Sequence, residues 1–107
     1  MTREESIFVT LLGNSPLIRI FNHLLIFREF DYSLTDIAKN SDVAWSTLNA
    51  LWPRLEKIGI VTHTRNVGKA KMYKLDLRNE YAKKLVSFAD SLIFGGPRKA
   101  RGKVLVR

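Results

Sequence analysis

The feature that most constrains the fold is a pair of short helical patterns separated by a few polar residues. Ile37 and Ala38 mark the inward face of a first helix that Thr35 can cap, and residues 40–42 are turn-forming. A second helix begins near Ala44, and its inward positions recur at helical spacing: Val43, Leu48, Leu51 or Trp52, Leu55 and Ile58. Two helices joined by three or four residues form a helix-turn-helix, and the small Ala38 permits their close packing.

The second helix is followed by a predicted β-hairpin. Pro53 inside the helix lacks a backbone N–H, at a cost of about 3 kcal/mol, and predicts a kink without a break. Gly59 ends the helix. Residues 60–65 and 72–77 have strand patterns, and the short stretch between them contains a glycine and two lysines. The hairpin therefore has a basic tip.

Helices are also predicted before this unit. Thr2 and Glu5 fit a capping box for a short amphipathic helix that Gly13 stops. Ser15 followed by Pro16 then gives an N-cap with proline at the first helical position of a core helix.

After the hairpin, residues 79–94 form a helix with one strongly apolar face, and residues 95–107 contain five basic side chains and no acidic one. We predict a mainly α fold with a small β-hairpin (α+β). One domain spans residues 1–94, and a flexible basic tail spans 95–107.

Charge is distributed unevenly along the chain. The sequence has 18 Lys and Arg against 10 Asp and Glu, a formal net charge of +8. Residues 1–53 carry a net charge of −2, whereas residues 54–107 carry +10. This excess favours a polyanion that meets the second half of the chain, with nucleic acid ahead of an acidic membrane surface.

The sequence does not contain the residues that several classes of function require. There is no cysteine, and His23 and His63 lie 40 residues apart outside any ligand-spaced motif, so we expect no metal site and no cofactor. No nucleophile elbow, phosphate-binding glycine loop or carboxylate pair beside a histidine is present, which argues against an enzyme. No apolar stretch approaches the roughly 20 residues of a membrane span, and the acidic N-terminus is unlike a signal peptide, so we expect a cytoplasmic protein with no membrane partner.

The order of helix, helix-turn-helix and basic hairpin resembles the winged helix-turn-helix domains of small prokaryotic regulators, in particular an archaeal group broadly similar to the MarR and ArsR classes. The resemblance covers about three quarters of the chain, and its motifs are residues 34–39, 43–48, 55–61 and 65–75. Two positions depart from it. Ala44 stands where a capping serine is common, and Asp42 where the turn often has glycine.

The resemblance implies a sequence-specific transcriptional regulator that binds double-stranded DNA with its second helix in the major groove. Asn49 is then the candidate reader of adenine, and Arg54 would reach guanine or a phosphate. Ser46 and Thr47 are placed for phosphate at the helix start, and Ala50 lies on the same outward face.

The wing and the tail would add backbone contacts. In the wing, Arg65, Lys69 and Lys71 would follow the phosphates or enter the minor groove, unless the hairpin is an ordinary solvated one. The tail offers further phosphate contacts or simply a solubilising end, through Arg98, Lys99, Arg101 and Lys103.

The apolar stripe of the C-terminal helix, with the N-terminal helix, implies a homodimer whose recognition helices lie about 34 Å apart. Its residues are Tyr81, Leu85, Phe88 and Leu92. Alternatively, this stripe folds onto the core of its own chain.

The two tryptophans are expected inside the protein. Trp52 is assigned to the core, and Trp45 to packing against the first helix or the hairpin, with contact to a sugar or a thymine methyl as its alternative. Two other functions stay open, a non-specific chromatin-type DNA binder and a winged-helix protein-interaction module. A small-molecule effector is possible in proteins of this kind, but the sequence names none.

Overall fold

The computed structural model describes residues 6–93, which form helices around a three-stranded antiparallel sheet. In chain order the elements are α1 (Ile7–Leu12), α2 (Pro16–Ile26), β1 (Tyr32–Ser33), α3 (Leu34–Asn40), α4 (Trp45–Lys57), β2 (Val61–Val67), β3 (Ala70–Leu75) and α5 (Glu80–Ile93). This order confirms the predicted α+β winged helix-turn-helix with additional terminal helices. The predicted tail lies outside the described residues, and the division into domain and tail stays a prediction.

The sheet has the strand order β1-β3-β2. Strands β2 and β3 form the predicted hairpin, with Val61 opposite Leu75 at its base. Strand β1 was not predicted, because two residues carry no period-two pattern. It pairs Tyr32 with Tyr73 and so joins the wing to the segment that precedes the helix-turn-helix.

Three helices begin at serine caps. The hydroxyl oxygens of Ser6, Ser15 and Ser33 each accept the backbone N–H three residues later, at 3.1 to 3.3 Å. The predicted cap of α3 was therefore wrong. Ser33 caps the helix, and Thr35 lies inside its first turn, because the chain turns helical two residues earlier than expected. The capping box predicted at residues 2–5 lies outside the described residues.

The core lies where the helices meet one face of the sheet. Its largest fully buried side chains are Phe8, Ile20, Ile37, Leu48 and Leu75. Trp52 is only 2% exposed and packs edge-on against Tyr73 with ring centroids 5.5 Å apart, which confirms its predicted place in the core.

The end of α4 differs in one detail from expectation. The helix continues through Pro53 to Lys57 without a break, as predicted. Gly59 follows it with a φ of 78°, a left-handed conformation suited to glycine. The predicted burial of Ile58 was wrong, since this residue is 45% exposed at the C-cap, where the chain leaves the helical path.

Helix α5 is tied to the end of α4 by Asn79. Its amide oxygen accepts the backbone N–H of Ala82 at 3.0 Å, and its amide nitrogen donates to the carbonyl of Ile58 at 3.0 Å. A second tie is the bidentate pair of Arg28 with Asp90, whose shortest N–O distance is 2.7 Å. These contacts tie α5 to the end of α4 and to the segment that follows α2.

Candidate nucleic-acid interface

The outward face of α4 is polar and is not covered by another element among the described residues. Ser46, Asn49, Ala50 and Arg54 are exposed, and Thr47 is half-buried. With about 100° of rotation per residue, Ser46 and Ala50 lie near the middle of this face, whereas Asn49 and Arg54 lie on opposite flanks, about 140° apart. The small side chain of Ala50 leaves room for another molecule to approach the helix closely between these two flanks.

The start of α4 offers unpaired donors. Its N-cap is Ala44, which makes no side-chain capping hydrogen bond, unlike the serines before α1, α2 and α3. The first backbone N–H groups of a helix have no intrahelical acceptor, and they lie at the positive end of the helix dipole. The departure at Ala44 therefore leaves the first turn of α4, with Ser46 and Thr47, open to an anion.

The turn before α4 is held by Arg19, a residue that the sequence analysis did not single out. Its guanidinium donates to the carbonyls of Ser41 at 3.0 Å, Asp42 at 2.9 Å and Asn14 at 2.7 Å. Asp42 itself has a φ of 57°, the left-handed conformation that explains why glycine is common at this position. Because all three acceptors are backbone atoms, no pattern of side chains in the sequence could reveal the contact.

The wing brings two of its three predicted basic residues to an open edge. Gly68, with a φ of 59°, begins the tight turn between β2 and β3. Lys69 and Lys71 are exposed at or beside this turn, and among the described residues neither has a hydrogen-bond or ion-pair partner. Val67, half exposed, lies beside them at the tip.

The third basic residue of the wing, Arg65, is anchored. Its Nε and Nη2 atoms donate to the two carboxylate oxygens of Asp31 at 2.9 and 3.1 Å, and the hydroxyl of Thr64 donates to the same carboxylate. These hydrogen bonds, first that from Arg65, lower the pKa of Asp31 to about 2. A register shift between His63 and Arg65 accommodates the contact. Arg65 thus locks the wing to the segment before β1 while its Nη1 faces no partner within the described residues.

Trp45, at the first position of α4, is 49% exposed. The prediction that this ring packs against the first helix or the hairpin, and is not exposed, was therefore wrong for about half of its surface. The physical reason lies in its position. Trp45 lies only about 20° from the buried Trp52 around α4 but about 10 Å nearer the helix start, so its place at the end of the helix, and not its angle, sets it apart.

The residues proposed for a dimer divide into two groups within one chain. Leu85 and Leu92 are partly buried and pack against the core. Tyr81 and Phe88 remain 61% and 40% exposed, and Phe88 meets the edge of Phe8 from α1 at 6.3 Å. The tail residues proposed for phosphate contact lie outside the described residues: Arg98, Lys99, Arg101 and Lys103.

The described residues also bear on two other kinds of site, a metal site and a membrane span. Among the described residues there is no cluster of three or more potential metal ligands, and no helix has the length and apolarity to cross a membrane. His23 is buried between Phe27 and Tyr32, and burial lowers its pKa. His63 faces Asn66, with its Nε2 2.8 Å from the amide oxygen.

The crystal structure of the adhesin competence repressor AdcR from Streptococcus pyogenes superposes with a TM-score of 0.54 over 80% of this chain, at 16% sequence identity. The shared fold is a winged helix. The chain matches 66% of the length of that repressor. No family model and no curated protein matches the sequence.

Proposed function

We propose that this protein is a sequence-specific transcriptional regulator that binds double-stranded DNA as a homodimer. The observation that carries the proposal is the uncovered face of α4, on which an uncapped helix start, Asn49 and Arg54 lie on a fold shared with a solved repressor. Polar groups spread across one exposed helix face, without partners among residues 6–93, are what base and phosphate contacts require.

Each group on this face has a definite role in the proposal. Asn49 donates and accepts on one adenine edge in the major groove, and Arg54 contacts guanine or a phosphate from the other flank. Ser46, Thr47 and the free N–H groups beside them bind a phosphate, and Ala50 lies against the base edges. Their arrangement gives one helix both its register on the backbone and its selectivity.

The wing supplies affinity that does not depend on sequence. Lys69 and Lys71 contact phosphates beside the groove, and Arg65 adds a contact through Nη1 while Asp31 holds the rest of its guanidinium. The tail residues 98–103 add further phosphate contacts.

The dimer in this proposal is formed by the exposed part of the α5 stripe together with α1. Tyr81 and Phe88 provide its apolar surface, and Leu11, 58% exposed on α1, adds to it. Leu85 and Leu92 support the interface from beneath, since both already pack against the core. A Tyr81→Glu variant is expected to elute as a folded monomer in light scattering, and a persistent dimer would remove this face from the interface.

Selection from a pool of random duplexes at about 0.15 M salt tests the proposal. An enriched palindrome with half-sites about ten base pairs apart is expected. Retention without enrichment would instead support the non-specific chromatin-type binder, and no retention would support a protein-interaction module. Asn49→Ala is expected to weaken the selected site by about 1 to 3 kcal/mol and to leave random DNA unaffected.

Salt dependence tests the wing separately. Replacing Lys69 and Lys71 with alanine should reduce the slope of log K against log salt by about two units, because two phosphate contacts are lost. The matched control replaces Arg78 and Lys83, two exposed basic residues to which no DNA or dimer contact is assigned, and removes the same charge. Equal changes in both variants would show that only net charge matters.

A further inference from the structure

The exposed indole of Trp45 is the least expected feature of the proposed interface. The chain has two tryptophans on the same helix, seven residues apart, and buries one of them almost completely while leaving the other 49% exposed. A large apolar ring at the open start of a polar helix face gains nothing from water. It forms none of the aromatic contacts that the described rings make with one another.

The position of Trp45 on α4 relates it to the proposed base reader. Trp45 and Asn49 are one turn apart, which places them about 40° apart around the helix and about 6 Å apart along it. Base pairs are stacked about 3.4 Å apart, so these two side chains fall one or two base pairs from each other in a groove that holds α4. Helical side chains lean toward the N-terminus, which carries the ring forward past the first turn.

The chemistry of indole restricts what it can recognise there. Its ring is apolar, with a single N–H donor and no acceptor, so it cannot form the paired donor and acceptor contact that amides make with adenine. The apolar feature of the major groove is the C5-methyl group of thymine.

We propose that Trp45 reads the C5-methyl group of a thymine one or two base pairs from the adenine contacted by Asn49. This inference rests on the proposed function, in which α4 lies in the major groove. It makes Trp45 a determinant of specificity, and the half-site then contains an adenine and a thymine at a fixed short spacing.

The test replaces each thymine of the selected duplex, one at a time, with deoxyuridine, which removes only the methyl group. For the natural protein, one replacement near the Asn49 position is expected to weaken binding about fourfold, the value of one buried methyl-sized group. For Trp45→Ala, the same deoxyuridine replacement is expected to leave affinity unchanged. For Trp45→Phe, which keeps an apolar ring, the replacement is expected to weaken binding by less than in the natural protein. Circular dichroism checks that both variants fold.

A second readout follows the ring directly. In a Trp52→Phe variant Trp45 is the remaining tryptophan, and its emission is expected to shift to shorter wavelength on the selected duplex as the ring leaves water. If no thymine replacement weakens binding by the natural protein, while Asn49→Ala still weakens the selected duplex and spares random DNA, this inference is overturned and the proposed function stands. Equal weakening of selected and random duplexes by Trp45→Ala would overturn it too, in favour of backbone packing. Failure to bind any duplex would remove the proposed function itself.

Discussion

Replacing Arg19 with methionine should loosen the turn that positions α4. The substitution keeps an unbranched chain of similar length but removes donors to the carbonyls of Asn14, Ser41 and Asp42. A net gain of about 0.5 to 1.5 kcal/mol is usual for one hydrogen bond, and two of these three bonds lie in exposed surroundings where water can replace the donor. We therefore expect a loss of about 2 kcal/mol, in the lower part of the summed range of about 1.5 to 4.5 kcal/mol.

Urea unfolding followed by circular dichroism measures this loss, and a fall in Tm of roughly 10 °C should accompany it for a domain of this size. Arg78→Met is the matched control. The Arg78 side chain is 87% exposed, and within residues 6–93 it pairs with Asp76, so its loss should cost less than about 0.5 kcal/mol.

Arg19→Lys separates geometry from charge. A single ammonium group cannot reach three carbonyls as the guanidinium fork does, so this variant should stay destabilised by at least about 1 kcal/mol. At a temperature where the variants remain folded, affinity for the selected duplex should fall, because α3 and α4 are no longer held at a fixed angle. Stability of Arg19→Met within about 0.5 kcal/mol of the natural protein, or full rescue by lysine, would refute the bracing role of Arg19.

Three further predictions follow from other contacts. Gly59→Ala should destabilise the fold by about 1 to 2 kcal/mol in urea unfolding, because φ is 78° and the new Cβ would lie 3.0 Å from the side-chain nitrogen of Asn79; an unchanged midpoint would contradict this. Asp31 has its pKa lowered from 3.8 to about 2 by Arg65, so its stabilising contribution should be complete above pH 3.8 and should disappear as pH falls toward 2; Asp31→Asn should remove this part of the pH profile. Leu48→Ala, at a fully buried position, should cost about 2 to 5 kcal/mol, and a cost below 1 kcal/mol would show that the core collapses around the cavity.

The elements that could be predicted are those whose signals are local. The periodicity of residues 44–58, the glycine at 59 and the glycine-containing stretch between two strand patterns each encode their structure within a few positions. Backbone preference and the alternation of apolar side chains act over one or two turns, so a single sequence is enough to predict them. The same reasoning predicted the outward face of α4.

What was missed depends on contacts between distant parts of the chain. Ser33 and Thr35 are both good caps, and the pairing of β1 with β3 accompanies the choice between them. The sequence shows no acidic partner near Arg65, but in the fold its guanidinium pairs with Asp31, which lies 34 positions earlier. Trp45 and the buried Trp52 share nearly the same angle around α4 and differ in their distance from the helix start, where tertiary packing decides what is covered.

The sequence by itself determined that this chain forms a helix-turn-helix followed by a basic hairpin, because those elements follow from short-range periodicity, capping and turn chemistry. Only the tertiary structure decided which side chains remain free at the surface to contact another molecule. Availability depends on what each side chain meets after folding, as with Arg19 bound to backbone carbonyls, Arg65 bound to Asp31, and Trp45 left half exposed.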